Sequence, residues 1–288
     1  MGATVLLLFA FLPAWAQSQP QALLPFVAID HHGRPIADVT SDSLLLWDNK
    51  NPVSGAKLLH GADLPLRLGI LIDTSNSQKK SEVYEPSVAA LKDFVNQVVR
   101  LDQDRVFFDL FSVTSEATPL LSKSQLAGLS MPLQVGGGTA LYNAIVLACA
   151  DRMGKANWQN PVRRVILVLS DGEDNMSQIT PAKAEAIAVS SGVMFFTIST
   201  NSSDRRSRGD SFLEAISKGT GGAAYTDIRP RDTQKLLAQI REQIDSMYYL
   251  TYVPPPNRTH DDMHNVEIRP AKGAKFELHA PKKYSWNP

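Results

Sequence analysis

Three short stretches of this chain carry side chains that could do chemistry together. Asp73, Ser75 and Ser77 occur as Asp-x-Ser-x-Ser, which offers one carboxylate and two hydroxyls. Thr139 follows Gly136-Gly137-Gly138, and Asp171 follows an apolar run that ends at Ser170. All five are hard oxygen donors, which suit magnesium, manganese or calcium better than zinc or copper. Magnesium takes few protein carboxylates and keeps water or a ligand oxygen in its remaining positions. Two carboxylates balance a divalent charge, and an acidic group on a partner could supply a missing ligand. Glycine takes backbone conformations that other residues avoid, so glycines 136 to 138 would let the backbone approach such an ion.

These donors need elements to hold them. Leu68-Gly69-Ile70-Leu71-Ile72 is an apolar run that stops at Asp73. It reads as a strand buried on both faces of a parallel sheet, with the acid at its carboxyl end. Open α/β sheets place their ligand sites at that end. Val165-Ile166-Leu167-Val168-Leu169 repeats the pattern and stops at Ser170-Asp171-Gly172. Thr139 opens a helix expected over 140–153. Leu91, Phe94, Val95, Val98 and Val99 form the apolar stripe of a helix over 82–100. Further helices are expected over 181–191, 210–218 and 232–247, and strands over 105–112, 193–199 and 223–226. Residues 118–122 fit a short hairpin or edge strand beside 105–112. Strands alternate with helices across 66–247, so the fold class is α/β, a doubly wound, mostly parallel, Rossmann-like sheet.

The flanks read differently. Strands are expected over 23–30, 44–48 and 57–60, with turns at 32–35 and 48–52. Residues 248–254, 264–269 and 276–279 are strand-like again. Neither set has enough strands to stand alone, so 17–65 and 248–288 should pair in one small β subdomain. At the start, residues 5–12 are apolar and Ala14-x-Ala16 fits a signal-peptidase site, although no Lys or Arg precedes the run. Residues 1–16 are therefore expected to be a signal peptide, and the chain exported to the periplasm or the extracellular space. No later stretch is long and apolar enough to span a membrane.

The motif resembles a known one. Asp-x-Ser-x-Ser, a Gly-Gly-Thr loop, and Asp-Gly after an apolar strand are similar to the metal-ion-dependent adhesion site of von Willebrand factor type A domains. The match falls on Asp73, Ser75, Ser77, Thr139 and Asp171 and covers roughly 66–247. The resemblance implies a bound magnesium whose shell a partner's carboxylate completes, with Ser75 and Ser77 as direct ligands and Asp73, Thr139 and Asp171 binding directly or through water. It also implies that ligand exchange could shift the Thr139 loop and the last helix. The flanks resemble an exported bacterial subgroup first catalogued in acidobacteria. They share its Gly-containing turn at 30–35, Gly-Gly-Gly-Thr-Ala-Leu-Tyr at 136–142, Ser-Asp-Gly-Glu-Asp-Asn at 170–175 and Tyr248-Tyr249-Leu250-Thr251-Tyr252. Asn143 stands where that subgroup often has Asp, outside the metal motif.

Other features carry less. Lys+Arg and Asp+Glu are 29 each, so nothing global favours nucleic acid or an anionic membrane. Cys149 is alone and cannot form an internal disulfide; its apolar helical context reads as core. Asp73-Thr74-Ser75 by itself could be only a turn or cap, and it lacks the second such loop of an aspartic protease. His260 and His264 have the spacing of a zinc helix, but Asp261 replaces the Glu base and the segment follows three prolines. His31-His32 reads as a turn face. In Arg208-Gly209-Asp210, Asp210 reads as a helix cap and 201–209 as a solvated loop, in which Arg205, Arg206 and Arg208 could bind a phosphate or an acidic partner. Glu173 and Asp174 read as a solvated loop beside the site. Three Asn-x-Ser/Thr sequons, at Asn175, Asn201 and Asn257, mean little if the source is bacterial.

The expectation is therefore a metal-dependent adhesion-type module without catalysis, binding an acidic group of a protein partner through magnesium, manganese or calcium. One alternative is a metal-dependent hydrolase, for which Glu173 and Asp174 are the only local general-base candidates. The other is an envelope component in which the metal only pins loops.

Overall fold

The computed structural model describes residues 19–129, 133–201, 205–255 and 263–286. The leader assigned to 1–16, His260 and the Asn257 sequon lie outside them. The strands are β1 (Ala22–Ile29), β2 (Leu44–Asp48), β3 (Asn51–Val53), β4 (Lys57–His60), β5 (Leu66–Asp73), β6 (Arg105–Phe111), β7 (Ser115–Ala117), β8 (Arg163–Ser170), β9 (Met194–Ser199), β10 (Ala224–Tyr225), β11 (Tyr248–Tyr252), β12 (Met263–Pro270), β13 (Glu277–His279) and β14 (Lys283–Ser285). The helices are α1 (Tyr84–Val98), α2 (Lys123–Leu126), α3 (Leu141–Leu147), α4 (Pro181–Ser191), α5 (Arg208–Thr220) and α6 (Thr233–Asp245). None among the described residues is long and apolar enough to cross a membrane.

The central sheet has six strands in the order β10-β9-β8-β5-β6-β7, all parallel except β7. Its inner strands β5, β6, β8 and β9 are buried on both faces because helices cover both. Leu68, Ile70 and Ile72 of β5 and Val165, Leu167 and Leu169 of β8 pack toward α1 and α6, against Phe94, Val98, Leu237 and Ile240. The alternate residues, Leu71, Ile166 and Val168, pack toward α3, α4 and α5, against Ala144, Ala188 and Leu213. This period of two is what a pleated strand imposes. Gly69 lies on the second face, where a Cβ would stand 2.6 Å from the Phe107 ring. The apolar stripe of α1 is buried as expected, and each such side chain contributes roughly 1.5–3 kcal/mol.

The helix ends follow local chemistry. Thr180 caps α4 by accepting the Lys183 amide at 3.3 Å, Pro181 sits in the first turn, and Gly192 ends the helix at φ 65°. Ser207 and Asp210 form a capping box at the start of α5. The helix expected over 140–153 is interrupted: α3 ends at Leu147 and continues as a π-turn over Ala148–Arg152. Cys149 is buried there, and burial pushes its thiol up to about 11, so it behaves as core.

The flanks pair with one another in two four-stranded antiparallel sheets that close on one apolar cluster, including Leu24, Leu46, Leu250 and Val266. The orders are β13-β1-β11-β4 and β14-β12-β2-β3. Residues 48–52 are not all turn: Asn49 and Lys50 take positive φ, and Asn51–Val53 is an edge strand that tolerates Pro52. The hairpin beside β6 uses Ser115–Ala117, with Leu121 bridging to Val106. Val27, Ile29 and Tyr249 of these sheets join the α1–α6 core, so the flanks share apolar packing with the central sheet.

Candidate metal centre

The chain runs from β5 through α1 to β6 on one side, then reaches β8 on the other side of β5. The carboxyl ends of β5 and β8 therefore flank the point where strand order reverses, the usual crevice for ligands in such sheets. Asp73 is the last residue of β5, and Asp171 follows the last residue of β8.

Asp73 is fully buried. Its Oδ1 accepts the Ser75 amide at 2.9 Å and its Oδ2 accepts the Ser170 hydroxyl at 2.6 Å. Ser75 Oγ and Ser77 Oγ lie 2.9 Å apart. Ser77 also faces the Asp171 carboxyl closely enough to lower its pKa. The first and third loops thus meet at the Ser170–Asp73 bond, with Ser77 beside Asp171. Thr139 is buried, and its loop is held to both neighbours through the backbone. The Asn76 amide donates to Gly137 O at 3.1 Å, and the Gly136 amide to Thr74 O at 2.7 Å. On the other side, the Thr139 amide donates to Asn175 Oδ1 at 2.9 Å, and Thr139 O accepts the Asn175 and Met176 amides at 3.0 Å each.

Electrostatics favour a cation here. Burial pushes the Asp73 carboxyl from 3.8 up to about 6, against the bonds from Ser170 and Ser75, and the Asp171 charge adds to the rise. Burial also raises Asp171, opposed by the Ser77 side chain and reinforced by the charges of Glu173 and Asp210. Two partly desolvated carboxylates, one of them raised by the charge of the other, are stabilised by a positive ion between them. No group of three or more His, Cys, Asp or Glu side chains able to hold a metal occurs among the described residues. A cation bound here would take two carboxylates and make up its shell with hydroxyls, which is the donor set of a hard metal.

Several residues that hold the site went unread in the sequence. Ser170 bridges Asp73 and the Gly172 amide, the latter at 3.0 Å. Gln78 Oε1 accepts the Thr200 hydroxyl at 2.7 Å, tying the first loop to the end of β9. Asp174 and Glu173 are not simply solvated. Asp174 Oδ2 accepts the Tyr142 amide at 2.8 Å and the Ser177 hydroxyl at 2.7 Å, so it caps α3, while Glu173 Oε1 accepts the Gly209 amide at 3.1 Å. The tripeptide Arg208-Gly209-Asp210 is likewise built in. Gly209 is buried against the third loop, where a Cβ on it would stand 2.2 Å from Asp171 O. Asp210 belongs to the cap, as read, and Arg206 pairs with Glu214. The one signal for these roles was adjacency to the acids. His264 lies in β12, buried, with Nδ1 2.7 Å from Asp48 Oδ1, far in type from a zinc helix.

Comparison with known proteins found no matching family model and no matching curated protein. Among solved structures, an aerotolerance-related membrane protein from Bacteroides fragilis is 23% identical, over 62% of this chain and 98% of that one, with a TM-score of 0.44. A von Willebrand factor type A protein from Catenulispora acidiphila is 12% identical over 94% of this chain and 75% of that one, with a TM-score of 0.47. Proximal thread matrix protein 1 from the mussel byssus, solved with a zinc-occupied MIDAS motif, is 15% identical over 64% of this chain and 48% of that one, also at 0.47.

Proposed function

We propose that this chain is an exported, metal-dependent protein-binding module of the von Willebrand factor type A kind, in the bacterial subgroup its flanks resemble. Asp73, Ser75, Ser77, Thr139 and Asp171 would hold a divalent cation, magnesium first, with manganese or calcium as substitutes. When bound, it supplies a Lewis-acidic position for an Asp or Glu of a protein partner. The observation that carries this reading is the buried Asp73 carboxylate, braced at a strand-order reversal beside Asp171, with two serine hydroxyls in contact range. The residues have separable tasks. Ser170 and the Ser75 amide orient Asp73, and Asn175 fixes the Thr139 loop.

A hydrolase built on the same ion would need a free general base. Both oxygens of Asp174 are engaged, Oδ1 with the Ser177 amide at 2.9 Å, and Glu173 accepts from Gly209. A binding role therefore has the better support.

The test is calorimetric titration of the chain and of Asp73→Ala with magnesium and manganese. Binding to the first and none to the second is expected, with partner capture from a binding screen abolished by chelator. Equal heats in both proteins would sink the reading. Metal binding that no carboxylate ligand perturbs would favour the loop-pinning alternative.

A further inference from the structure

Two half-exposed apolar side chains lie against the glycine loop that carries Thr139. Val113 and Met176 are each 46% exposed. A Cβ on Gly137 would stand 3.1 Å from Val113 Cγ2, and one on Gly138 would stand 2.6 Å from Met176 Cγ and 3.1 Å from its sulfur. The two side chains come from different segments, one after β6 and one after β8, and converge on one loop. Single exposed apolar residues need no explanation, but a pair gathered at a ligand site does.

Their backbones are pinned. The Ala140 amide donates to Ser112 O at 2.7 Å and the Ser112 amide to Thr114 O at 2.9 Å, which holds the segment bearing Val113. The Met176 amide donates to Thr139 O at 3.0 Å. Apolar groups on fixed backbones lose little freedom when a ligand covers them. Covering them would also exclude water from a cation–carboxylate pair, which strengthens it.

We propose that Val113 and Met176 form an apolar rim that selects a partner whose metal-binding carboxylate is flanked by apolar side chains. This rests on the metal-dependent reading above. A carboxylate alone gives the site little to distinguish one acidic partner from another. Apolar flanks supply the discrimination, in the manner of anchors at the centre of an interface.

The test uses the chain saturated with manganese and two capped peptides, Gly-Leu-Glu-Leu-Gly and Gly-Ser-Glu-Ser-Gly. The leucine peptide is expected to bind about tenfold more tightly, the effect of burying apolar surface on this scale. In a Val113→Ser/Met176→Ser variant the preference should vanish while manganese affinity and thermal unfolding stay unchanged. Equal affinity for the two peptides, or a preference that survives the double substitution, would overturn the rim alone, while binding of neither peptide to the metal-loaded chain would overturn both the rim and the carboxylate-binding reading. Failure of manganese itself to bind would overturn the metal reading and the rim with it.

Discussion

The Ser170 hydroxyl donates to Asp73 Oδ2 at 2.6 Å, joining the ends of two neighbouring parallel strands through one proton. The same oxygen accepts the Gly172 amide at 3.0 Å, so it also shapes the turn that presents Asp171. Partners that orient metal ligands typically affect affinity by 10–100-fold. Ser170→Ala should therefore weaken manganese binding by about tenfold or more, with the fold retained. Unchanged affinity in a direct titration would remove Ser170 from the site.

Asp73 should cost the metal-free protein stability. Its carboxyl rises from 3.8 to about 6 in the fold. The folded state thus holds the proton more tightly, so the favourable contribution is complete below about pH 4 and is lost as pH rises through about 6. At neutral pH the buried charge weighs against folding by roughly 2–3 kcal/mol. Asp73→Asn should raise the metal-free Tm at pH 7.5 and remove the Tm increase produced by magnesium. In the unaltered chain that increase should shrink as pH falls below about 6, because protons compete for the carboxylate. A variant with a lower Tm, or one still stabilised by magnesium, would contradict this account.

Gly209 matters for its missing side chain. A Cβ there would stand 2.2 Å from Asp171 O and 2.7 Å from the Glu173 amide nitrogen. Gly172, at φ +77°, meets Gly209 O at 2.4 Å in the same way. Gly209→Ala should cost about 2–4 kcal/mol in urea unfolding and lower metal affinity through the displaced Asp171 loop. Arg208→Ala, at an exposed neighbour, should change neither. Equal stability of the two variants would refute the close-packing explanation.

Asp48 holds the flanking sheets together. Its Oδ2 accepts the Tyr252 hydroxyl at 2.8 Å and the Tyr284 hydroxyl at 2.6 Å, while Oδ1 meets His264 Nδ1 at 2.7 Å. All four side chains are buried, and they come from β2, β11, β12 and β14, which span both small sheets. Asp48→Ala would remove the shared acceptor of three polar groups, leaving only the 2.8 Å bond between the Tyr252 and Tyr284 hydroxyls, and should cost about 3 kcal/mol or more. Tyr284→Phe leaves the Tyr252 bond and should cost about 1 kcal/mol. Denaturant midpoints in the reverse order would show that the network contributes little.

Much of this was legible from local pattern. The apolar runs ending at Asp73 and Ser170 are strands β5 and β8, and the stripe from Leu91 to Val98 faces the core of α1. Strand β4 and helix α4 begin and end where composition and caps indicated. The type and order of the five oxygen donors were readable too. Strand β14 was not, because Lys283-Tyr284-Ser285 is too short to display alternation. Strand β3 was hidden in a stretch whose Asn and Pro read as turn.

Tertiary structure alone decided which strands became neighbours. Strand β1 pairs with β11, matching Leu24 to Leu250, and the flanking strands divide between two sheets. The bracing of the candidate site has the same origin. Ser170 and Asp73 are 97 residues apart, Gly209 and Glu173 are 36 apart, and no local pattern links either pair. Residue type and spacing follow from the sequence because they are properties of a short segment. A bond between distant segments exists only once apolar faces have chosen what covers them, and that choice is made by the whole core at once.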